Sequence, residues 1–302
     1  MTDYKNLIDG KMVDNGEWLE VLNPATEQVV GRVPSCGKEE LDSAVAAARR
    51  AFTQWKKTTA EERQQVVQGI AAAIKENADE LYRLLTSEQG KPHAQAQQEI
   101  YGAAGLAAAQ STLTLDDVIN QDDDTRLSRT RRVPVGVVGG IVPWNFPIMM
   151  AIQKIVPALV AGCTIVLKPS PFTPLTTLRV AELIKDVVPA GTVNIITGED
   201  TLGPLITEHP DIDKITFTGS TATGKKIMEG ASGDLKRITL ELGGNDASIV
   251  LPDADVQKVA EQLFWSSFSN AGQVCIAAKR IYIHEDIYDD LSKAIADYAK
   301  TV

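Results

Sequence analysis

The sequence predicts an α/β protein organised on a doubly wound parallel sheet. Two observations carry that expectation. From residue 134 onward, short continuous apolar runs alternate with longer stretches of helical periodicity, the order that places helices on both faces of a parallel sheet. The composition, 44% hydrophobic and 23% charged over 302 residues, is that of a globular chain with one large core or two smaller ones.

The first elements do not yet belong to that alternation. Residues 4–24 hold short apolar pairs separated by Asp9-Gly10 and Asn15-Gly16, two hairpin-turn signals that predict a small β-ribbon. Residues 38–110 are helical. Ala44, Val45, Ala48, Ala51, Phe52 and Trp55 recur at helical spacing, as do Val66, Ile70 and Ile74 and then Leu81, Leu84 and Leu85. Gly90-Lys91-Pro92 interrupts the run. Residues 126–133 alternate as a strand, and Asp122-Asp123-Asp124 before them reads as a solvated loop.

The alternation then starts. Strands are expected at 135–142, 164–167, 193–196, 214–218 and 237–240, with helices at 148–161, 175–188, 202–208 and 223–230 between them. Past Glu241-Leu242-Gly243-Gly244 come a strand at 247–251, a helix from Asp255 to about Phe268, a strand at 280–283 and a final helix. No repeat or low-complexity segment interrupts this order.

Charge and composition exclude several classes of function. A net charge of −10 argues against a nucleic-acid partner. Arg126, Arg129, Arg131 and Arg132 alternate with Leu127, Ser128, Thr130 and Val133, which suits one face of an exposed strand better than a phosphate patch. No apolar run is long enough to span a bilayer, and the first residues lack the pattern of a signal peptide. Three cysteines and three scattered histidines form neither a disulfide framework nor a metal-ligand set, so no metal is expected and the setting is a reduced cytoplasm.

Ligands of open parallel sheets bind beyond the carboxyl ends of the strands, and four motifs fall there. Pro143-Trp144-Asn145-Phe146-Pro147 projects an amide from a proline-bounded loop; Asn145 could donate to developing negative charge or simply satisfy the turn. Lys168 ends an apolar strand in Leu167-Lys168-Pro169-Ser170-Pro171, suited to a hydroxyl or phosphate or else reaching solvent. Phe217-Thr218-Gly219-Ser220-Thr221-Ala222-Thr223-Gly224 runs from strand through glycine into a helix N-terminus, where an anion is favoured, although the G-x-x-x-x-G spacing alone is a weak signal. Glu241, between Leu240 and Leu242, would be a partly desolvated carboxylate suited to a general base, or a surface glutamate before a glycine turn.

One thiol stands apart. Cys275 closes Phe268-Ser269-Asn270-Ala271-Gly272-Gln273-Val274-Cys275, a run of small and amide side chains that leaves room at sulfur. Cys36 sits in a Pro-Ser-Cys-Gly turn and Cys163 follows an apolar helix, settings of small buried residues.

Taken together, these five motifs, in this order, resemble the NAD(P)-dependent aldehyde dehydrogenase superfamily, from near Asn23-Pro24-Ala25-Thr26 to the last residue. The resemblance implies a Rossmann-like cofactor domain at 1–125 and 148–241, an oligomerisation strand and catalytic loop at 126–147, and the start of a second α/β catalytic domain at 242–302. It also implies Cys275 as nucleophile, Glu241 as general base and Asn145 as oxyanion donor. Trp144, Lys168, Ser170, Phe217, Gly219, Ser220, Thr223 and Gly243 would meet NAD or NADP. The partners implied are an aldehyde and a second copy of the chain, in a homodimer or homotetramer at full length. Two departures stand out. The chain stops at Val302, before a family glutamate-phenylalanine motif, so it resembles a C-terminally truncated member, and a catalytically inactive cofactor-binding fragment is the alternative. Pro171 stands where many NAD-preferring members carry glutamate, which leaves the choice of cofactor open. A CoA-acylating variant is a further alternative, against which Glu241 counts.

Overall fold

The computed structural model describes residues 2–302, which divide into two compact units, one up to Leu240 and the other Glu241–Val302. The first is centred on a seven-stranded sheet. In spatial order its strands are Arg237–Glu241, Lys214–Thr218, Val137–Ile141, Thr164–Lys168, Val193–Ile195, Asn6–Ile8 and Lys11–Val13. The middle four run parallel, with Gly140 opposite both Leu167 and Thr216.

The order matters more than the count. The chain starts at Val137–Ile141, steps outward through Thr164–Lys168 and Val193–Ile195, and then returns to the other side of Val137–Ile141 with Lys214–Thr218. Connections leave the starting strand in opposite directions. Such a reversal opens a crevice at the carboxyl ends of the two strands that flank it. All five residues of Thr164–Lys168 are buried, which is why the strand is written as a continuous apolar run rather than an alternating one.

Helices Pro147–Val160 and Leu175–Ile184 pack with Ala60–Glu76, Ala78–Gln89 and His93–Gln110. Ile70, Ile74, Leu81, Leu85, Ile100, Ile148, Ile152 and Ile155 form their common core. Helix Lys38–Trp55 packs instead with Leu202–Glu208 and against strands Val137–Ile141 and Thr164–Lys168.

The start of the chain departs from the expected ribbon. Asp9-Gly10 does make a hairpin, both residues having positive φ, but its two strands extend the main sheet. Asparagine 194 holds the turn by accepting from the Asp9 amide at 3.0 Å. Asn15-Gly16 makes no hairpin. The next strand, Trp18–Leu22, pairs with Val29–Pro34 in a separate sheet. The arginine-rich stretch forms strand Arg126–Thr130, exposed throughout and paired with Val118–Asp123. Asp122 and Asp123 are therefore part of a strand, not a loop; the turn lies at Asp124, where Asp123 Oδ1 accepts from the amides of Thr125 and Arg126.

The second unit is a βαβ element. Strands Asp246–Val250 and Ala278–Ile283 run parallel, joined through helix Val256–Phe268, with Tyr288–Ala299 packed on that helix. Val250, Ala260, Leu263 and Leu291 form its small core.

Two helices of the first unit are capped from a distance. Leu175–Ile184 begins after Pro174 and has no side-chain cap of its own. Buried Glu88 supplies one, accepting from the amides of Leu175 at 2.7 Å and Thr176 at 2.9 Å. Burial lifts this carboxyl to about 7, with the hydrogen bonds of Thr176 and Leu175 pulling the other way. A raised acid favours folding fully below its ordinary value of 4.5, and that contribution is lost as pH rises through about 7. We expect the parent to lose roughly 3 kcal/mol of stability across that window from this group. Glu88→Gln, which cannot ionise, should flatten that part of the curve. Urea melts across the window check it, and an unchanged slope contradicts it.

Candidate active site

At the reversal point the first unit holds a cavity of about 700 Å³. The loop after Val137–Ile141 contributes Trp144, and the end of the neighbouring strand contributes Lys168, followed by Ser170 and Pro171. Phe217, Gly219, Ser220 and Thr223 line the side formed by Lys214–Thr218 and the helix after it. Seven of the eight residues expected to meet the cofactor thus share one cavity. The eighth, Gly243, lies in the second unit, in the turn between Glu241 and Asp246.

Lys168 is a cation inside this cavity wall. It is only 3% exposed, because the last residue of a buried strand cannot turn away from its neighbours. Burial pulls its ammonium down to about 8, while Asp200, also at the cavity, pulls it back up. Opposite it starts helix Thr221–Ala231. Ser220 is its N-cap, with Oγ accepting from the Thr223 amide at 3.1 Å. First-turn amides of a helix lack intrahelical partners and attract anions. Gly219 packs closely on its neighbour: a Cβ there would run into the Phe217 ring and force it to shift.

Asn145 sits in the loop that opens helix Pro147–Val160. Its side-chain oxygen accepts from the Phe146 amide at 3.2 Å, and its carbonyl accepts from Lys91 Nζ at 2.8 Å. The side chain is half-buried.

In the second unit Cys275 is exposed. It follows three consecutive left-handed residues, Asn270 (φ 50°), Ala271 (φ 55°) and Gly272 (φ 77°). Ala271 has neither the amide of asparagine nor the freedom of glycine, so this turn carries backbone strain. Lys279 Nζ donates to the carbonyls of Gly244 (2.9 Å) and Val274 (3.2 Å), tying the turn after Glu241 to the segment before Cys275. A Cβ on Gly244 would press on the Cys275 carbonyl at 2.8 Å. Glu241 itself is exposed, not partly desolvated as expected. Its strand is the edge of the seven-stranded sheet, so the flanking leucines do not enclose it.

Comparison with known proteins matches residues 12–302 to the aldehyde dehydrogenase family. This chain is a member of that family. It is 41% identical over 297 residues to the NADP(+) succinate-semialdehyde dehydrogenase GabD of Escherichia coli, a match covering 96% of this chain and 61% of that protein. The mitochondrial succinate-semialdehyde dehydrogenase of Arabidopsis thaliana is 40% identical over 300 residues, covering 97% and 57%. An NAD-dependent aldehyde dehydrogenase from Sinorhizobium meliloti superposes with a TM-score of 0.96 at 38% identity, over 100% of this chain and 62% of that one. The chain spans about three fifths of the length of the curated relatives it matches.

Several residues of this chain were not singled out by its local patterns. Glu88 and Glu99 look like surface charges on helices, and Lys91 like a solvated charge in the break between them, yet all three are buried. Lys154 lies within the apolar helix Pro147–Val160 and donates to Thr218 Oγ1 at 2.9 Å, behind the cavity wall. The one legible signal was a lone charge in an otherwise apolar stretch, and it applied to Lys154 alone.

The three thiols differ enough to be told apart by reagent. Cys36 is buried, accepts from Asn6 Nδ2 at 2.8 Å, and burial pushes its thiol up to about 12. Cys163 is buried as well. Brief iodoacetamide treatment near neutral pH should label Cys275 and spare the other two. Peptide mapping checks it; Cys36 labelled as fast as Cys275 would remove the distinction.

Proposed function

We propose that the full protein oxidises an aldehyde to a carboxylic acid through a thioester on Cys275, using NAD or NADP. The observation that carries this reading is Cys275, the exposed thiol of a chain whose other thiols are buried, set after a strained left-handed turn. Family membership supports it, since the relatives are named as aldehyde-oxidising enzymes.

The residues around the 700 Å³ cavity suit a dinucleotide. Lys168 offers a buried cation, and the helix starting after Ser220 offers amide donors to a phosphate beside a glycine without steric room for a side chain. Pro171 contributes no carboxylate, which leaves space and charge for a 2′-phosphate, so we infer that NADP is tolerated as well as NAD. When bound, the nicotinamide supplies the acceptor for the aldehyde hydride. The chain supplies the rest. Cys275 Sγ adds to the carbonyl carbon, and the amide of Asn145 with the Cys275 backbone N–H holds the resulting oxyanion. Glu241 takes a proton from the water that cleaves the thioester, which frees the acid and the thiol. We further assign the exposed hairpin of Val118–Asp123 and Arg126–Thr130, with Ile119 and Leu127 on its surface, to pairing of subunits in a homodimer or homotetramer. A cytoplasmic location belongs to the same reading and is supported by three free thiols.

Two tests address this reading in the full-length protein. Gly219→Leu should weaken dinucleotide binding at least tenfold, about 1.4 kcal/mol, because the new side chain collides with the Phe217 ring in the cavity lining. Calorimetry on the folded variant reads it, and unchanged affinity refutes the phosphate role. The second test separates the two catalytic residues by step. Cys275→Ala should abolish reduced-cofactor formation altogether. Glu241→Gln should keep a first turnover and then stall, seen as a burst without steady state. A Cys275→Ala enzyme that still oxidised aldehyde would overturn the covalent route, and full steady-state turnover in Glu241→Gln would make Glu241 structural.

A further inference from the structure

A buried ion pair lies behind the loop that carries Asn145. Lys91 Nζ and Glu99 Oε2 are 2.5 Å apart, and their side chains are 0% and 1% exposed. Each partner also reaches into the loop. Lys91 donates to the Asn145 carbonyl at 2.8 Å and sits 4.0 Å from the centre of the Phe146 ring. Glu99 Oε1 accepts from the amides of Ile148 at 3.0 Å and Met149 at 3.2 Å, the first turn of a helix that has no side-chain cap of its own. The pair therefore grips the chain on both sides of Pro147.

Stability alone is a poor reason for this arrangement. Desolvating two charges costs about as much as their attraction returns, and apolar replacements of such pairs are often neutral or better. An apolar pair could fill the same volume, but it has no donor for a carbonyl and no acceptor for two amides. What the charges add is direction.

We propose that Lys91 and Glu99 are positioning residues that fix the Asn145 peptide and so aim the Asn145 side-chain amide at the oxyanion. The inference rests on the role given above to Asn145. The route is short. Lys91 holds the Asn145 carbonyl, Glu99 holds the turn beyond Pro147, and the Phe146 amide between them holds Asn145 Oδ1, which sets the plane of the side-chain amide. Burial, which raises Glu99 and lowers Lys91, makes each charge dependent on the other, so neither can be lost alone without cost.

The test uses the full-length protein with both charges removed together. Lys91→Met/Glu99→Gln keeps an oxygen for the Ile148 and Met149 amides and leaves no unpaired charge, so it should fold. We expect kcat to fall about 10²-fold, the cost of misplacing a catalytic group by roughly 1 Å, with KM for the aldehyde and dinucleotide affinity little changed. Acrylamide quenching of Trp144, measured against the same protein carrying Trp144→Phe, should rise as the loop loosens. In an Asn145→Ala background the paired substitution should cost less than about threefold more, because coupled residues are not additive. Lys91→Arg provides a second variant, with the charge kept but a wider head that shifts the carbonyl contact, and it should show the same loss in kcat at unchanged KM. Two results overturn the proposal on its own: unchanged kcat in the folded variants, or a full multiplicative loss in the Asn145→Ala background. If Asn145→Ala alone leaves kcat intact, the reading of Asn145 itself fails, and the proposal with it.

Discussion

Two helices of the first unit begin where no local residue can cap them. Pro147 opens one after Phe146, and Leu175 opens the other after Pro174. Neither phenylalanine nor proline offers a side-chain acceptor, and unpartnered amides inside a core are costly. The protein meets this need with carboxylates from another part of the chain. Glu99 serves the first helix and Glu88 the second, both from the helical segment spanning 78–110. The prolines are useful for the same reason that they are awkward. They stiffen the two loops at the cavity, and a remote acceptor then ties those loops to the helical layer.

The cavity depends on this arrangement and on strand order. A reversal of direction at Val137–Ile141 leaves two strand ends without a crossing connection between them. Full burial of Thr164–Lys168 forces its last side chain to stay within the protein, which is how a lysine comes to lie at a binding surface with a depressed pKa. The Phe217 ring and Gly219 then shape the approach to the helix that follows Ser220. Each of these side chains is placed by backbone that has already been fixed by packing.

The second unit works by different means. Its core is small, and Cys275 and Glu241 are both exposed. Order around the thiol comes from a left-handed backbone run over Asn270, Ala271 and Gly272, and from the Lys279 side chain, whose Nζ bridges the carbonyls of Gly244 and Val274. Gly244 lets that bridge form, since a side chain there would collide with the Cys275 carbonyl.

Periodicity alone determined most of the elements. The continuous apolar runs of the parallel strands, the helical spacing of residues 38–110 and the strand-to-helix passage through Gly219 are local patterns, and local patterns survive in one dimension. The motifs around Asn145, Lys168, Gly219, Glu241 and Cys275 were legible for the same reason, each being a short contiguous stretch. Tertiary structure decided what depends on distant partners. Asn15-Gly16 has the composition of a hairpin turn, but Trp18–Leu22 finds its pairing in Val29–Pro34. Glu241 has leucine neighbours, but an edge strand leaves it in solvent. Glu88 and Glu99 occupy helices with ordinary charged positions, and Lys91 lies in the Gly-Lys-Pro break between them. Only the packed structure shows that those charges face the amides and carbonyl of loops 50 to 90 residues away, because a hydrogen bond between distant segments leaves no trace in the spacing of either.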